Sequence, residues 1–308
     1  MKIRRKVIVK KALRMLSKYN RWIGIAVVVL LGVTLISVLN PKKKEQNKKK
    51  PADTMEAPYY NKQSFERPLF LPTPATKEAT LEQFKIPIVM YHYVEYVQDA
   101  GDLIRKRLDI IPSTFERHLK DLKNAGYDTY FVKDVPEILI GNIHYSPKSV
   151  VLSFDDGYED FYTVVFPLLK KYHMRATLYV IYDFIGRKGF VTKAQIEELI
   201  NSDLVEIGSH TLDHLYLKGL PDKVVEKQIK ESKKKFEEDY HIKIFTFAYP
   251  YGAMSPYAIL QVKEAGYTTA ASVISGTLQS EENLFFLSRI RPGYFSNGIV
   301  SSLEGMKK

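Results

Sequence analysis

Short apolar runs alternate with amphipathic stretches along the chain from Ile86 onward. The runs are rich in β-branched and aromatic residues, which favour strands, and the stretches between them have the period of a helix. Strands are predicted at 86–91, 129–132, 150–154, 177–181, 205–207, 244–249, 268–273 and 285–290. Because strands that alternate with helices pair in parallel, we expect an α/β fold, and the number of strands suits a deformed (β/α) barrel.

Helices are predicted between these strands, where apolar residues recur every three or four positions. The first begins at the capping-box sequence Ser113-Thr-Phe-Glu116 and ends near Gly126, a residue type common just after a helix. Others are predicted at 161–172, 192–201, 223–240 and 256–265. The helix at 223–240 is heavily charged, and we interpret its charges as a solvent-exposed face.

The residues before 86 follow a different pattern. Residues 22–39 carry no charge and are long and apolar enough to cross the hydrocarbon core of a bilayer as a helix. A basic segment, 1–21, precedes them, and a linker rich in lysine and proline, 40–85, follows. We therefore expect a cytoplasmic N-terminus, a single-pass membrane anchor and an extracellular domain at 86–308. A cleaved signal peptide is the alternative, although no small-residue cleavage pattern follows the apolar run.

The charge distribution supports this division. The net charge is +11, but residues 1–50 hold 15 of the 46 basic residues and one of the 35 acidic residues. The rest of the chain is therefore slightly acidic, which argues against a nucleic-acid partner. The chain contains no cysteine, so an exported domain would fold without disulfides.

Two adjacent carboxylates end one of the predicted strands. Asp155 and Asp156, followed by Gly157, come directly after the apolar run at 150–154. In parallel α/β folds the carboxyl ends of the strands carry the binding and catalytic residues. The alternative is that these acids cap the following helix, since aspartate is favoured at helix N-termini.

Two imidazoles and a Pro-Tyr-Gly sequence follow other strands. His210 and His214 come after the strand at 205–207, and Tyr249-Pro-Tyr-Gly252 closes the strand at 244–249. Because these stretches all follow strands, we expect them on one rim of the fold, where Asp156, His210 and His214 would form a metal site. Such ligands suit Zn²⁺ and also accept Fe²⁺, Co²⁺ or Ni²⁺.

These stretches carry a family resemblance. Ser153-Phe-Asp-Asp-Gly157, Ser209-His-Thr-Leu-Asp-His214 and Tyr249-Pro-Tyr-Gly252, in this order, resemble the first three motifs of the polysaccharide deacetylase (NodB-homology) family, carbohydrate esterase family 4. The resemblance implies a deformed barrel that removes N- or O-acetyl groups from polysaccharides with a divalent metal. It also implies that Asp155 is the general base and that the metal ligands are Asp156, His210 and His214. In the family, the backbone N–H of the residue at Tyr251 contacts the oxyanion.

Two parts of the family pattern are absent from this chain. Ala248 stands where most members have an arginine that steadies the base, and no histidine follows His241, although the usual general acid is a late histidine. His92 follows the first predicted strand and resembles the acid of members that deacetylate poly-N-acetylglucosamine, whose histidine motif lies at the front. We therefore predict that His92 is the general acid, although a single histidine after a strand can also have only a packing role.

The missing arginine has a candidate replacement near the end of the chain. Arg289 lies in the last predicted strand, from which its side chain could reach the same rim and orient Asp155; Arg291 is the alternate. The other histidines lie on predicted helices or loops and are interpreted as structural. They are His118, His144, His173 and His241.

The expected function is hydrolysis of N-acetyl groups on N-acetylglucosamine-containing cell-surface polysaccharide, either poly-N-acetylglucosamine or peptidoglycan. We expect the polysaccharide and the membrane as partners, and neither nucleic acid nor an obligate protein partner. A retaining glycosidase also uses two acids, but on either side of the sugar, and it leaves the two histidines unexplained. A noncatalytic, membrane-anchored carbohydrate-binding protein on a degenerate deacetylase fold is the other alternative.

Overall fold

The computed structural model describes residues 83–99, 101–295 and 297–306 of the 308-residue chain. The predicted basic segment, the membrane anchor at 22–39 and nearly all of the linker lie outside the described residues. Within these ranges, no helix combines the length and the apolar composition that crossing a membrane requires.

Mainly parallel strands form the centre of the described region. They are β1 (Phe84–Lys85), β2 (Ile88–Tyr91), β3 (Asp128–Tyr130), β4 (Ser149–Phe154), β5 (Ala176–Val180), β6 (Val205–Ser209), β7 (Thr246–Ala248), β8 (Thr269–Ser275), β9 (Leu278–Gln279) and β10 (Leu287–Arg289). The larger sheet has the strand order β10-β8-β7-β6-β5-β4-β2, and adjacent strands are parallel. Strand β3 also pairs with β4 in parallel. Short β1 and β9 pair antiparallel in a separate ribbon. The predicted strands are all present, with ends within two residues of those predicted.

The first and last strands of this sheet approach each other and nearly close it into a barrel. The Met90 N–H donates to the Ile290 carbonyl at 2.8 Å, and the Ile290 N–H donates to the Ile88 carbonyl at 2.8 Å. Because only this short bridge joins β2 to β10, the closure is much less regular than the pairing elsewhere. The predicted barrel-like α/β fold is therefore confirmed.

Helices cover the outside of the barrel. They are α1 (Leu103–Leu108), α2 (Pro112–Asn124), α3 (Val135–Leu139), α4 (Phe166–Tyr172), α5 (Lys193–Ile200), α6 (Asp222–Tyr240), α7 (Pro256–Glu264) and α8 (Ile299–Gly305). The charged helix α6 has the expected solvent-exposed face, where Lys234 pairs with Glu238 at 3.7 Å one turn away.

One predicted helix start was wrong, and one predicted helix differs in type. Helix α2 begins with Pro112, after Ile111, and has no side-chain cap, so the predicted capping box at Ser113 does not form. Proline is favoured in the first turn because it has no N–H to leave unsatisfied there. The helix predicted from Phe161 begins instead as a π-helix, Phe161–Val165, and becomes α-helical at Phe166. Single-turn π-helices occur often beside functional sites, and this one follows the Asp-Asp-Gly sequence.

Candidate active site

The predicted site residues meet at the carboxyl ends of the strands. Asp155 and Asp156 follow β4, His92 follows β2, His210 follows β6, and Arg289 ends β10. The first helix after the two acids has Asp160 as its N-cap residue, so neither Asp155 nor Asp156 caps it. The capping alternative is therefore wrong.

Asp156, His210 and His214 form a compact cluster. Nε2 of His210 lies 3.3 Å from Asp156 Oδ1, and Nε2 of His214 lies 3.2 Å from the same oxygen. One ligand atom from each residue lies within 4.8 Å of the other two. Burial tends to raise the pKa of Asp156, but the charge and hydrogen bonds of the two imidazoles hold it well below its usual range. One anionic oxygen and two imidazole nitrogens this close together fit a divalent metal ion.

The orientation of His210 favours ligation through Nε2. Its Nδ1 lies 2.8 Å from the carbonyl oxygen of Ala248, and the ring is almost fully buried. When Nδ1 donates its proton to this carbonyl, a neutral imidazole carries its lone pair on Nε2, the atom that faces Asp156. Ala248, where the family arginine is missing, therefore holds this ring through its backbone.

Unusual backbone conformations concentrate at this cluster. Seven non-glycine residues in the described ranges have positive φ, and four of them belong to the motif stretches. Those four are Asp156 at 77°, Thr211 at 69°, His214 at 64° and Tyr251 at 58°. Such conformations cost on the order of 1–3 kcal/mol each and cluster at functional sites, where the surrounding structure enforces them. Two of the other three, His173 and His241, are left-handed residues that end helices α4 and α6.

Asp155 forms a buried, bidentate ion pair with Arg289. The two terminal nitrogens of Arg289 donate to Asp155 Oδ1 at 2.7 Å and Oδ2 at 2.8 Å. The third guanidinium donor, Nε, contacts the Ser272 carbonyl at 2.7 Å. Burial alone would raise the pKa of Asp155, but the charge and hydrogen bonds of Arg289 outweigh it and lower the pKa. Arg291, by contrast, is exposed.

His92 is a further neighbour of the Asp155 carboxylate. Its Nε2 is 3.9 Å from Asp155 Oδ2, and 16% of its side chain is exposed. Burial lowers the pKa of His92, and the charges of Asp155 and Asp156 oppose this effect only in part. The sequence alone suggests the ordinary value near ~6.5. The structure therefore keeps His92 close to Asp155 but shifts the pKa of His92 downward.

Tyr251 borders the cluster on the side of His214. Its ring centroid lies 4.6 Å from that of His214, and 38% of the residue is exposed. The predicted backbone donor of Tyr251 therefore lies in a strained turn, Pro250–Gly252, beside the Asp156–His210–His214 cluster.

An aromatic pair near Asp156 was not predicted from the sequence. The rings of Tyr93 and Tyr158 stack with their centroids 3.8 Å apart, and they line a cavity of about 350 Å³ together with Arg105 and Asp160. Burial raises the pKa of Asp160 to about 6, although its carboxylate accepts a hydrogen bond from the Val94 N–H. The position of Tyr158 directly after Asp-Asp-Gly was the available signal.

The other histidines have no place in this cluster. His118 is buried beside β2, where its Nδ1 lies 3.2 Å from the Tyr91 hydroxyl, and its ring packs edge-on against Phe295. His144 is exposed in a loop.

The fold and the site together define a class of protein: an α/β barrel with an ionised carboxylate beside a carboxylate–imidazole cluster, an arrangement typical of metal-dependent hydrolases. The sequence model of the polysaccharide deacetylase family matches residues 143–270. The chain belongs to this family, because it is 32% identical over 225 residues to Bacillus subtilis (strain 168) YxkH, which bears the name of a polysaccharide deacetylase. That match spans 72% of this chain and 77% of YxkH.

Two further relatives support the assignment. The poly-beta-1,6-N-acetyl-D-glucosamine N-deacetylase of Staphylococcus aureus (strain MSSA476) is 28% identical over 199 residues, which cover 60% of this chain and 68% of that protein. The structure of the Streptococcus pyogenes deacetylase PplD in complex with acetate matches with a TM-score of 0.67 and 28% identity. That match covers 74% of this chain and all of the PplD chain. The chain is therefore a polysaccharide deacetylase, as its motifs predicted.

Proposed function

We propose that this protein is a metal-dependent N-deacetylase of N-acetylglucosamine-containing cell-surface polysaccharide, with Zn²⁺ as the first candidate metal. One observation carries the proposal: the Asp155–Arg289 ion pair, the Asp156–His210–His214 cluster and His92 share one rim. A carboxylate base, a metal-binding cluster and an imidazole acid are the groups that amide hydrolysis requires.

Asp155 is suited to remove a proton from the attacking water. A bound divalent ion would supply a Lewis acid for the acetyl carbonyl and would lower the pKa of water at the site. Because Arg289 lowers the pKa of Asp155, this carboxylate is ionised and able to accept the proton at neutral pH. Both Asp155 oxygens accept from Arg289, so the guanidinium also fixes the plane of the base.

His92 is suited to protonate the leaving amine. The amine of an amide leaves poorly unless it is protonated, and His92 lies 3.9 Å from the carboxylate that accepts the proton of water. Burial lowers the pKa of His92, so its protonated form is a stronger acid than an exposed imidazolium. The backbone N–H of Tyr251 would donate to the oxyanion, a contribution of roughly 3 kcal/mol in comparable sites.

The polymer is proposed from two observations. The Staphylococcus aureus relative bears the name of a poly-beta-1,6-N-acetyl-D-glucosamine N-deacetylase. His92 also lies at the front of the chain, as the resemblance to that branch requires. Poly-β-1,6-N-acetylglucosamine is therefore the first candidate, and peptidoglycan is the second.

The location is proposed from the sequence alone. An anchor at 22–39 and a linker at 40–85 would hold the deacetylase domain at 86–308 outside the membrane and close to surface glycans. Protease added to intact cells should remove the domain and leave a membrane-bound N-terminal fragment. Recovery of the domain without a membrane fragment would favour the cleaved signal peptide.

Other functions agree less well with the site. A retaining glycosidase needs one protonated carboxylic acid, yet the ion pair with Arg289 and the two imidazoles lower the pKa of both Asp155 and Asp156. A noncatalytic carbohydrate-binding protein has no need for a buried ion pair on a base or for strained backbone at Asp156.

The metal is tested by elemental analysis of full-length protein after loading with Zn²⁺ and removal of the excess. The wild type should hold about one ion per chain, and the double variant His210→Ala/His214→Ala should hold far less. A chelator should abolish acetate release, and added metal should restore it. Equal metal content in both proteins would contradict the assignment of the ligands.

The substrate is tested by acetate release from a panel of polymers. We expect metal-loaded full-length protein to release acetate from poly-β-1,6-N-acetylglucosamine faster than from peptidoglycan or an O-acetylated glycan. Faster release from peptidoglycan would support the proposed deacetylation but contradict the proposed polymer.

A further inference from the structure

We propose that Tyr216 forms, beside Tyr251, a stacking surface for the sugar next to the one that is deacetylated. The inference rests on the proposed function, because it concerns the polymer that this site would bind. It adds a binding subsite outside the motif residues.

A row of rings connects Tyr216 with the metal-binding cluster. Ring centroids are 4.9 Å apart for His210 and His214, 4.6 Å apart for His214 and Tyr251, and 6.3 Å apart for Tyr251 and Tyr216. Tyr216 therefore lies one ring farther from the reacting centre than Tyr251. This is where the next unit of a polymer would lie if the acetylated unit occupied the cluster.

Both tyrosines are exposed at the rim. Tyr216 is 44% exposed and Tyr251 is 38% exposed, whereas the tyrosines within the barrel strands β2 and β5 are almost fully buried. Exposed aromatic groups gathered beside a catalytic site indicate a surface that a ligand covers.

The backbone around Tyr216 is held in place by its neighbours. Leu217 is fully buried in the core between the barrel and its helices, and Leu215 is partly buried. Upstream, the N–H groups of Leu212 and Asp213 donate to the side-chain carbonyl oxygen of Gln228 on helix α6 at 3.1 and 3.3 Å. The loop is therefore anchored on both sides, and Tyr216 is presented to solvent by a fixed backbone.

A sugar ring suits these two side chains. A pyranose has faces of C–H groups and an edge of hydroxyls, and a tyrosine offers an aromatic face with negative charge density and a hydroxyl at its end. The rings of Tyr216 and Tyr251 are inclined by 40°, so together they form a shallow angle rather than a flat wall. This surface would hold one sugar by its apolar face and leave the hydroxyl edge in water.

The test compares an oligosaccharide with a small ester. In full-length metal-loaded protein, Tyr216→Ala should raise KM for a β-1,6-linked N-acetylglucosamine pentasaccharide about three- to tenfold, with little change in kcat. Hydrolysis of 4-nitrophenyl acetate, which is too small to reach Tyr216, should change much less. Tyr216→Phe keeps the ring and should retain most of the affinity.

A matched control and a binding measurement complete the test. Phe245→Ala removes another exposed aromatic, 37% exposed, that precedes β7 at the opposite end of the barrel, and it should leave KM unchanged. Pentasaccharide affinity is measured by calorimetry in an Asp155→Asn background, with and without Tyr216→Ala.

The outcomes separate this inference from the proposed function. Acetate release by the wild type together with an unchanged KM in Tyr216→Ala would overturn only the subsite. Equal losses on the pentasaccharide and the ester would also overturn it, since they indicate a distorted catalytic site. If pentasaccharide binding depends on Tyr216 but the wild type releases no acetate, the subsite is supported and the proposed deacetylation is overturned. Neither binding nor release would overturn both.

Discussion

Among single residues, two neighbouring side chains divide the proton transfers in the proposed mechanism. Arg289 lowers the pKa of Asp155 despite burial, and burial lowers the pKa of His92 despite the nearby acids. Asp155 therefore enters the reaction ionised, whereas His92 must hold a proton to act as the acid. The 3.9 Å distance between them places the proposed proton donor beside the proposed proton acceptor.

His92→Ala tests the acid role. We expect kcat for the N-acetyl polymer to fall by about a hundredfold or more, because general acid catalysis typically contributes 10²–10⁴. The bound metal should be retained, and the loss on an O-acetyl ester should be smaller, since an alkoxide leaves more readily than an amine. His144→Ala, at an exposed histidine, is the control. Equal losses on amide and ester, or loss of the metal, would make His92 a structural residue or a ligand.

Arg289→Met tests the ion pair. Removing the guanidinium leaves the buried Asp155 carboxylate unpaired, which should lower the free energy of unfolding by about 3–5 kcal/mol. The pKa of Asp155 should rise, so the acidic limb of the activity profile should move to higher pH. Arg291→Met alters an exposed arginine and should change neither quantity. A profile that stays in place in Arg289→Met would show that the base is not held by this residue.

Much of this site was predictable because its residues follow strands in fixed sequences. The spacing of Asp156, His210 and His214 placed them on one rim, and the structure brings them together. Arg289 could be named only as one of two candidates, because residues two apart point to the same face of a strand and the sequence does not fix where the strand ends. Strand β10 ends at Arg289, and Arg291 lies beyond it and is exposed.

At the element scale, strand β6 depends on a residue without a side chain. A Cβ atom at Gly208 would lie 2.6 Å from the Thr246 hydroxyl and 2.6 Å from two ring carbons of Tyr179. Strands β5, β6 and β7 therefore pack side by side only because glycine occupies this position. His210 follows Gly208 by two residues, so a shift of β6 would also move a proposed metal ligand.

Gly208→Ala should therefore destabilise the fold and weaken the site. Overpacking of this kind typically costs about 1–3 kcal/mol. We therefore expect a corresponding decrease in the free energy of unfolding, measured by chemical denaturation, together with weaker metal binding. Gly305→Ala is the control, because a Cβ atom added at Gly305 would meet no other atom within 4 Å. Unchanged stability in Gly208→Ala would show that β6 can shift without cost.

The strands of the larger sheet were predicted correctly, whereas the short strands β1 and β9 and the short helices were not. Strand β4 is a continuous apolar run buried along its whole length, which gives a strong sequence signal. Helix α1 buries none of its residues, so no apolar period marks it. The π-helix before α4 retains a helical pattern, and sequence periodicity does not separate the two forms.

For the molecule as a whole, one more buried acid matters besides Asp155 and Asp156. Glu206 accepts hydrogen bonds from the Thr177 hydroxyl at 2.6 Å, the Thr246 hydroxyl at 3.0 Å and the Lys133 backbone N–H at 3.2 Å. Burial outweighs these donors and raises the pKa of Glu206 to about 7. The folded protein thus keeps a proton that the unfolded chain releases near pH ~4.3.

This proton makes stability depend on pH. Between about pH 4.5 and pH 7 the folded state binds more protons at Glu206 than the unfolded state, so the free energy of unfolding falls as pH rises. Glu206→Gln removes this dependence. The free energy of unfolding of the variant minus that of the wild type should therefore rise by about 2 kcal/mol from about pH 5 to about pH 8, as measured by denaturant unfolding. The control is Glu281→Gln at the surface, whose curve of unfolding free energy against pH should be parallel to that of the wild type. A parallel curve for Glu206→Gln would contradict the raised pKa.

The most direct test of the whole account is acetate release from poly-β-1,6-N-acetylglucosamine by full-length, Zn²⁺-loaded protein, compared with its Asp155→Asn variant. Asparagine keeps the shape of the side chain but cannot accept the proton of the attacking water, so release should fall by at least about a hundredfold. Metal content should stay the same, because Asp155 is not in the Asp156–His210–His214 cluster. Absence of release by the wild type, or equal release by the variant, would contradict the proposed deacetylation at Asp155.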